Sequence, residues 1–170
     1  MTADNSISIA RLLPPLASLD QSETDFIASL FESVWLKKKE FFIKTGNPVT
    51  KVAFIVKGIL CRYSYYEKGH KIIYQYLFDN LFFTDCIGYF LHLPSFTNIQ
   101  AITPCHLWTI PIEEIEALRN TKHTYSHGKL LYSFIVRQSG FASRNPAINL
   151  PLFRVYPYYS INYKYHCSYN

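Results

Sequence analysis

The sequence has no C-x-x-C pair and no unbroken apolar run near the ~18 residues that a membrane-spanning helix needs. Its start, "MTADNSISIARLLPPL", lacks the basic stretch and long apolar core of a secretory signal, so the expected location is the cytoplasm. In such a reducing compartment the four scattered cysteines, Cys61, Cys86, Cys105 and Cys167, are expected as buried thiols or spectators rather than disulfides. Motifs of enzyme chemistry are also missing. There is no G-x-S-x-G, no H-E-x-x-H and no P-loop, so no catalytic residue, metal or cofactor is expected. Of the six histidines, His70, His92, His106, His123, His127 and His166, only His123 and His127 stand at i, i+4. No acid or cysteine beside them completes a metal set, and surface histidines are the expected reading. Acidic residues stop altogether at Glu116.

What is present points to one globular domain, or one with an appendage. The chain has 170 residues, of which 49% are hydrophobic and 17% aromatic. That length suffices to bury a real core. The formal net charge of +5 permits an anionic partner without establishing nucleic-acid binding.

Four stretches differ in pattern. The N-terminal stretch, residues 1–34, contains "LDQSETDFIASLF", an amphipathic helix expected from Leu19 to Phe31. Ser22 and Asp25 form its N-cap pattern, and Phe26, Ile27, Leu30 and Phe31 share a face. Residues 35–111 carry short runs of aromatic and β-branched residues between the turn signals "KTGNP", "VKG", "EKGHK", "FDN" and "LPS". This spacing predicts an antiparallel sandwich or jelly roll, mainly β with flanking helices. In residues 112–138, "IPIEEIEALRN" predicts a short helix with its acids near the positive end of the dipole. A second helix is expected in "YSHGKLLYSFIVRQ", where Leu130, Leu131, Phe134 and Ile135 form an apolar stripe. That stripe is either core packing or the seam of a homodimer, and the dimer is favoured because the β unit before it has its own core. Residues 139–170 hold three prolines and six tyrosines with neither helical nor strand period, and no fold is legible there.

Much of this pattern resembles the effector domain of the CRP/FNR family of bacterial transcription regulators. The resemblance runs from roughly Leu12 to Gln138 and is greatest to a divergent branch whose members often have no known ligand. It implies a cyclic-nucleotide-binding jelly roll followed by a dimerisation helix. The family's turn glycines fall on Gly46, Gly58 and Gly69, with "VAFIVKGIL" between the first and second. The iron–sulfur sensors of the family need cysteines near the amino terminus, and none precedes Cys61.

Family members that bind cyclic AMP carry a cassette close to F-G-E-L, eight residues, then R-S-A-x-V-x-A. The chain lies on it without a gap. Phe83 and Thr84 take the F-G positions, Asp85 the ribose-holding glutamate and Cys86 the next place, with Ser95 on the arginine. Phe96 falls on the following hydroxyl residue, Thr97 on the small one, and Ile99 and Ala101 on the closing strand. Asp85 is open to two readings, a ligand-holding acid or an acid capping a turn, and the second is favoured. Serine cannot form the two charge-assisted bonds that a guanidinium makes to a phosphate. At roughly 1.5–3 kcal/mol each, their loss weakens binding about 10²- to 10⁴-fold. The expectation is an effector domain for an unknown small molecule, not binding cyclic AMP in the family's way. The alternatives are a stand-alone ligand- or partner-binding jelly roll, or a cupin-like enzyme, which lacks its clustered His and Glu.

Relatives of this family continue into a winged helix-turn-helix that enters the DNA major groove. Three helices of mean length would need roughly 35 residues, and the "NP", "LP" and "YP" steps oppose helix before them. The tail is therefore expected not to house that domain, either because the protein is effector-only or because a frameshift or early stop replaced its end. The loss of acids favours the second. DNA is a partner only if an intact helix-turn-helix exists in the full gene product. The coding DNA in its other two frames is where that pattern would be found.

Overall fold

The computed structural model of the chain describes residues 20–66 and 69–120. The elements run α1 (Gln21–Ser29), β1 (Glu32–Leu36), β2 (Phe41–Ile43), β3 (Lys51–Lys57), β4 (Leu60–Tyr65) and β5 (Lys71–Leu77), then β6 (Phe82–Phe83), α2 (Cys86–Leu91), β7 (Asn98–Ala101), β8 (Cys105–Pro111) and α3 (Ile112–Asn120). The strands form two four-stranded sheets, β1-β8-β3-β6 and β2-β7-β4-β5, with every pair antiparallel. The expected mainly β jelly roll with flanking helices is the fold observed.

The central strand β3 is buried almost throughout because its sheet is covered on both faces. Val52 and Phe54 face the helices, where they join Ile27, Phe31, Phe82, Trp108, Ile110 and Ile115 in one cluster. Ala53 and Ile55 face the sandwich interior and pack with Leu60, Leu77, Phe83, Ile99 and Leu107 in the other. Each such large side chain, fully buried, contributes about 1.5–3 kcal/mol. This double burial explains why β3 reads as a continuous apolar run rather than an alternation.

Helix α1 starts one cap earlier than the sequence suggests. Asp20, not Ser22, is the N-cap, and its side chain accepts from the Glu23 backbone N–H while the Glu23 carboxylate accepts from that of Asp20. The buried face is correspondingly Thr24, Ile27, Ala28 and, just past the helix, Phe31. Phe26 lies off that stripe and is 53% exposed. Strand β1 opens at Glu32, inside the stretch assigned to the N-terminal helical segment, because pairing with β8 runs from Glu32↔Thr109 to Leu36↔Cys105. The helix expected from "IPIEEIEALRN" is α3, with Glu113 and Glu114 in its first turn. Leu130, Leu131, Phe134 and Ile135 lie outside the described residues, as do residues 139–170. Among the described residues no helix is long and apolar enough to cross a membrane.

Gly46, Gly58 and Gly69 all have positive φ, at +87°, +117° and +77°. Gly58 is the most constrained, since a Cβ there would stand 2.7 Å from both the Cys105 sulfur and the Pro104 carbonyl oxygen. At Gly46 the same atom would meet nothing within 4 Å. Gly58→Ala is therefore expected to cost more than Gly46→Ala. Backbone strain plus overpacking gives roughly 2–5 kcal/mol for the first and about 1–2 kcal/mol for the second. Urea unfolding midpoints with unchanged slope would show this order, and equal midpoints would refute it.

Candidate functional site

The cassette region is built from the end of β6, the helix α2 and the loop into β7. Helix α2 is not expected from the sequence, since "CIGYFL" is short and apolar and reads equally as a strand. Its start is fixed by Asp85, whose Oδ1 accepts from the backbone N–H of Ile87 at 3.2 Å and of Gly88 at 3.4 Å. Its end is fixed by His92 in the left-handed conformation, φ +52°. Gly88 allows the close packing here, because a Cβ would stand 2.6 Å from Val49 Cγ2.

Asp85 is almost fully buried, and its other oxygen is used as well. Oδ2 lies 2.5 Å from the Ser95 hydroxyl and 3.4 Å from that of Thr97. Ser95 Oγ accepts in turn from the Thr97 backbone N–H at 3.2 Å. Its backbone is clamped by the β2–β3 turn: Gly46 N–H donates to the Ser95 carbonyl, and Ser95 N–H to that of Asn47, at 2.8 and 2.9 Å. Thr84, also buried, donates its hydroxyl to the Lys51 carbonyl at 3.0 Å. The structure thus brings Thr84, Asp85, Cys86, Ser95 and Thr97 together as buried neighbours, with Phe96 half-buried between the last two.

Arg62 on β4 is a residue that sequence reasoning misses. It pairs with Ile99 of β7, whose side chain lies in the sandwich interior, and its Nη2 donates to the Thr84 carbonyl at 2.5 Å. A guanidinium therefore does reach the cassette, but from another strand. The available signal is a charged residue two places after the buried Leu60, in a strand with apolar residues on both faces.

Cys61, Cys86 and Cys105 are buried, and burial raises the thiol pKa of Cys61 and Cys105. His70 and His92 are exposed as expected. His106 corrects the surface reading. It is half-buried, stacked on Trp35 at 4.3 Å between ring centroids and bonded to the Ser33 hydroxyl at 2.8 Å, and desolvation lowers its pKa. His123, His127, His166 and Cys167 lie outside the described residues.

A family profile described as the cyclic nucleotide-binding domain matches residues 33–122, more than half of the chain. The chain belongs to the cyclic nucleotide-binding domain family. Solved structures of low sequence identity share this fold. The sensor domain of the transcriptional regulator DNR from Pseudomonas aeruginosa is 14% identical with a TM-score of 0.60, and the match covers 83% of this chain and 97% of that one. A cAMP-binding acyltransferase from Mycobacterium smegmatis is 15% identical with a TM-score of 0.56, over 74% of this chain and 38% of that one. The regulatory domain of Toxoplasma gondii PKA, crystallised with cAMP, is 13% identical with a TM-score of 0.60, over 78% and 48%. The chain thus spans less than half the length of the last two proteins. No curated protein matches the sequence significantly.

Within this cyclic nucleotide-binding domain the Asp85 carboxylate ties two chain segments ten or more residues apart. Ser95→Ala is expected to cost about 1–3 kcal/mol. Asp85→Ala strands several donors and removes a helix cap, for about 2–4 kcal/mol. The double variant should lose less than the sum, because both act on one bond. Strict additivity in chemical denaturation would show the two side chains to be independent.

Proposed function

We propose that this domain is the effector-sensing part of a CRP/FNR-type transcription regulator and does not take cyclic AMP in the family's usual way. One observation carries the second half of this reading. The two side chains at the positions that would hold the ribose hydroxyl and the cyclic phosphate, Asp85 and Ser95, are bonded to each other at 2.5 Å. A nucleotide seated there would have to break that bond and would still find no guanidinium at position 95. The regulator half is supported by the family membership and by the fold shared with a transcriptional regulator's sensor domain over nearly that domain's whole length. Ligand occupancy would shift a pair of dimer helices and, only if an intact helix-turn-helix exists in the full gene product, the spacing of two recognition helices with them. The apolar stripe of Leu130, Leu131, Phe134 and Ile135 is our assignment for the homodimer seam, resting on the sequence alone.

Calorimetric titration with cyclic AMP and cyclic GMP is expected to show no binding at low-micromolar concentration, the deficit being about 10²- to 10⁴-fold. Low-micromolar affinity for either would overturn the ligand half. A gel shift of the full gene product on promoter DNA tests the regulator half, and no shift with or without cell metabolites would favour a stand-alone binding module.

A further inference from the structure

The geometry points to Arg62 as the anion-holding group of this site, with a small organic anion, a carboxylate or phosphate monoester, as the ligand class. This deepens the sensor reading and rests on it. Arg62 sits in β4 opposite Ile99, on the face that lines the sandwich interior, and is half-buried. Its Nη2 is held by the carbonyl of Thr84, the second residue of the cassette. Its Nε is buried and has no hydrogen-bond partner among the described residues. The acid adjacent to Thr84 in sequence does not serve it, since Asp85 is taken up by Ser95, Thr97 and the two amides of α2. Among the described residues the one ion pair is Lys51 with Glu32, on the surface.

A charged side chain that is partly withdrawn from water and short of a counter-ion is driven toward its neutral form. Lysine or aspartate reaches that form by a shift of pKa, but arginine cannot, because its guanidinium stays protonated throughout the working range. The fixed charge and the unpaired N–H therefore favour an acceptor brought from outside. The guanidinium has five N–H groups in a rigid fork. With one Nη2 N–H on Thr84, the Nε–H and a further N–H remain for the two oxygens of a carboxylate or phosphate. The carbonyl of Thr84 fixes the fork's orientation before a ligand arrives. In this site the cation would come from β4 rather than from the loop before β7, where Ser95 and Phe96 stand.

Thermal melting of the whole chain with inorganic phosphate or succinate, against sodium chloride of equal ionic strength, tests this. The wild type is expected to show a saturable rise in melting temperature with at least one of the two anions. Arg62→Met should raise the half-saturating concentration at least tenfold, and Arg62→Lys, which keeps the charge but loses the fork, should fall between. If Arg62→Met does not fold, the lysine variant alone decides, since an unchanged half-saturating concentration contradicts the fork. Equal responses of wild type and Arg62→Met would overturn the assignment while leaving the sensor reading in place. A wild type that responds to neither anion would overturn the assignment too, and the gel shift would then judge the sensor reading separately.

Discussion

The buried carboxylate of Asp85 holds the functional end of this domain together. Two amides at the start of α2 and two hydroxyls before β7 converge on its oxygens. Burying such a group is costly unless its acceptor sites are filled, so helix start and loop end must form together. The turn after β2 is then fixed as well, because Gly46 and Asn47 pair with the backbone of Ser95. Three segments separated in sequence share one polar knot, set at the edge of an otherwise apolar sandwich interior.

Strand and turn positions are legible in the sequence because each depends on local chemistry. Glycines at positive φ punctuate the chain at Gly46, Gly58 and Gly69, and aromatic or β-branched residues fill the runs between them. Residues whose role depends on a partner remote in sequence are less legible. Asp85, expected to cap a turn, caps a helix instead, Cys86–Leu91, which is too short for a helical period to emerge. Ser22 and Asp20 are two candidate caps two residues apart, and only the reciprocal Asp20–Glu23 bonds decide for the second. Counting apolar residues puts Phe26 on the buried face. The helix is nine residues long and presents a narrow stripe to the sheet, which leaves Phe26 outside.

The cassette can be aligned from the sequence, yet what its side chains do there cannot be read from it. Placing Ser95 on the arginine position foretells the loss of a phosphate ligand. It does not foretell that the serine turns to Asp85 and closes the knot from within. Nor does the alignment reveal Arg62, since a strand with apolar residues on both faces gives no sign of which side a lone charge takes. Pairing settles it: Arg62 stands opposite Ile99, and Ile99 is a core residue of the sandwich.

Loss of the cassette arginine and the presence of Arg62 have different electrostatic consequences. An arginine at position 95 would stand beside the Asp85 carboxylate, and the two charges would compensate each other when no ligand is bound. With serine there, the acceptor sites of the carboxylate are filled by neutral donors, while the guanidinium on β4 bonds the neighbouring carbonyl of Thr84 instead. The domain has thereby separated its buried acid from its half-buried base. The acid is closed into the scaffold, where it sets the loop. The base, oriented by a single carbonyl, keeps an N–H free of protein partners among the described residues. That division gives the carboxylate a structural task and leaves the guanidinium on β4, beside the same cassette, as the group through which negative charge would be recognised.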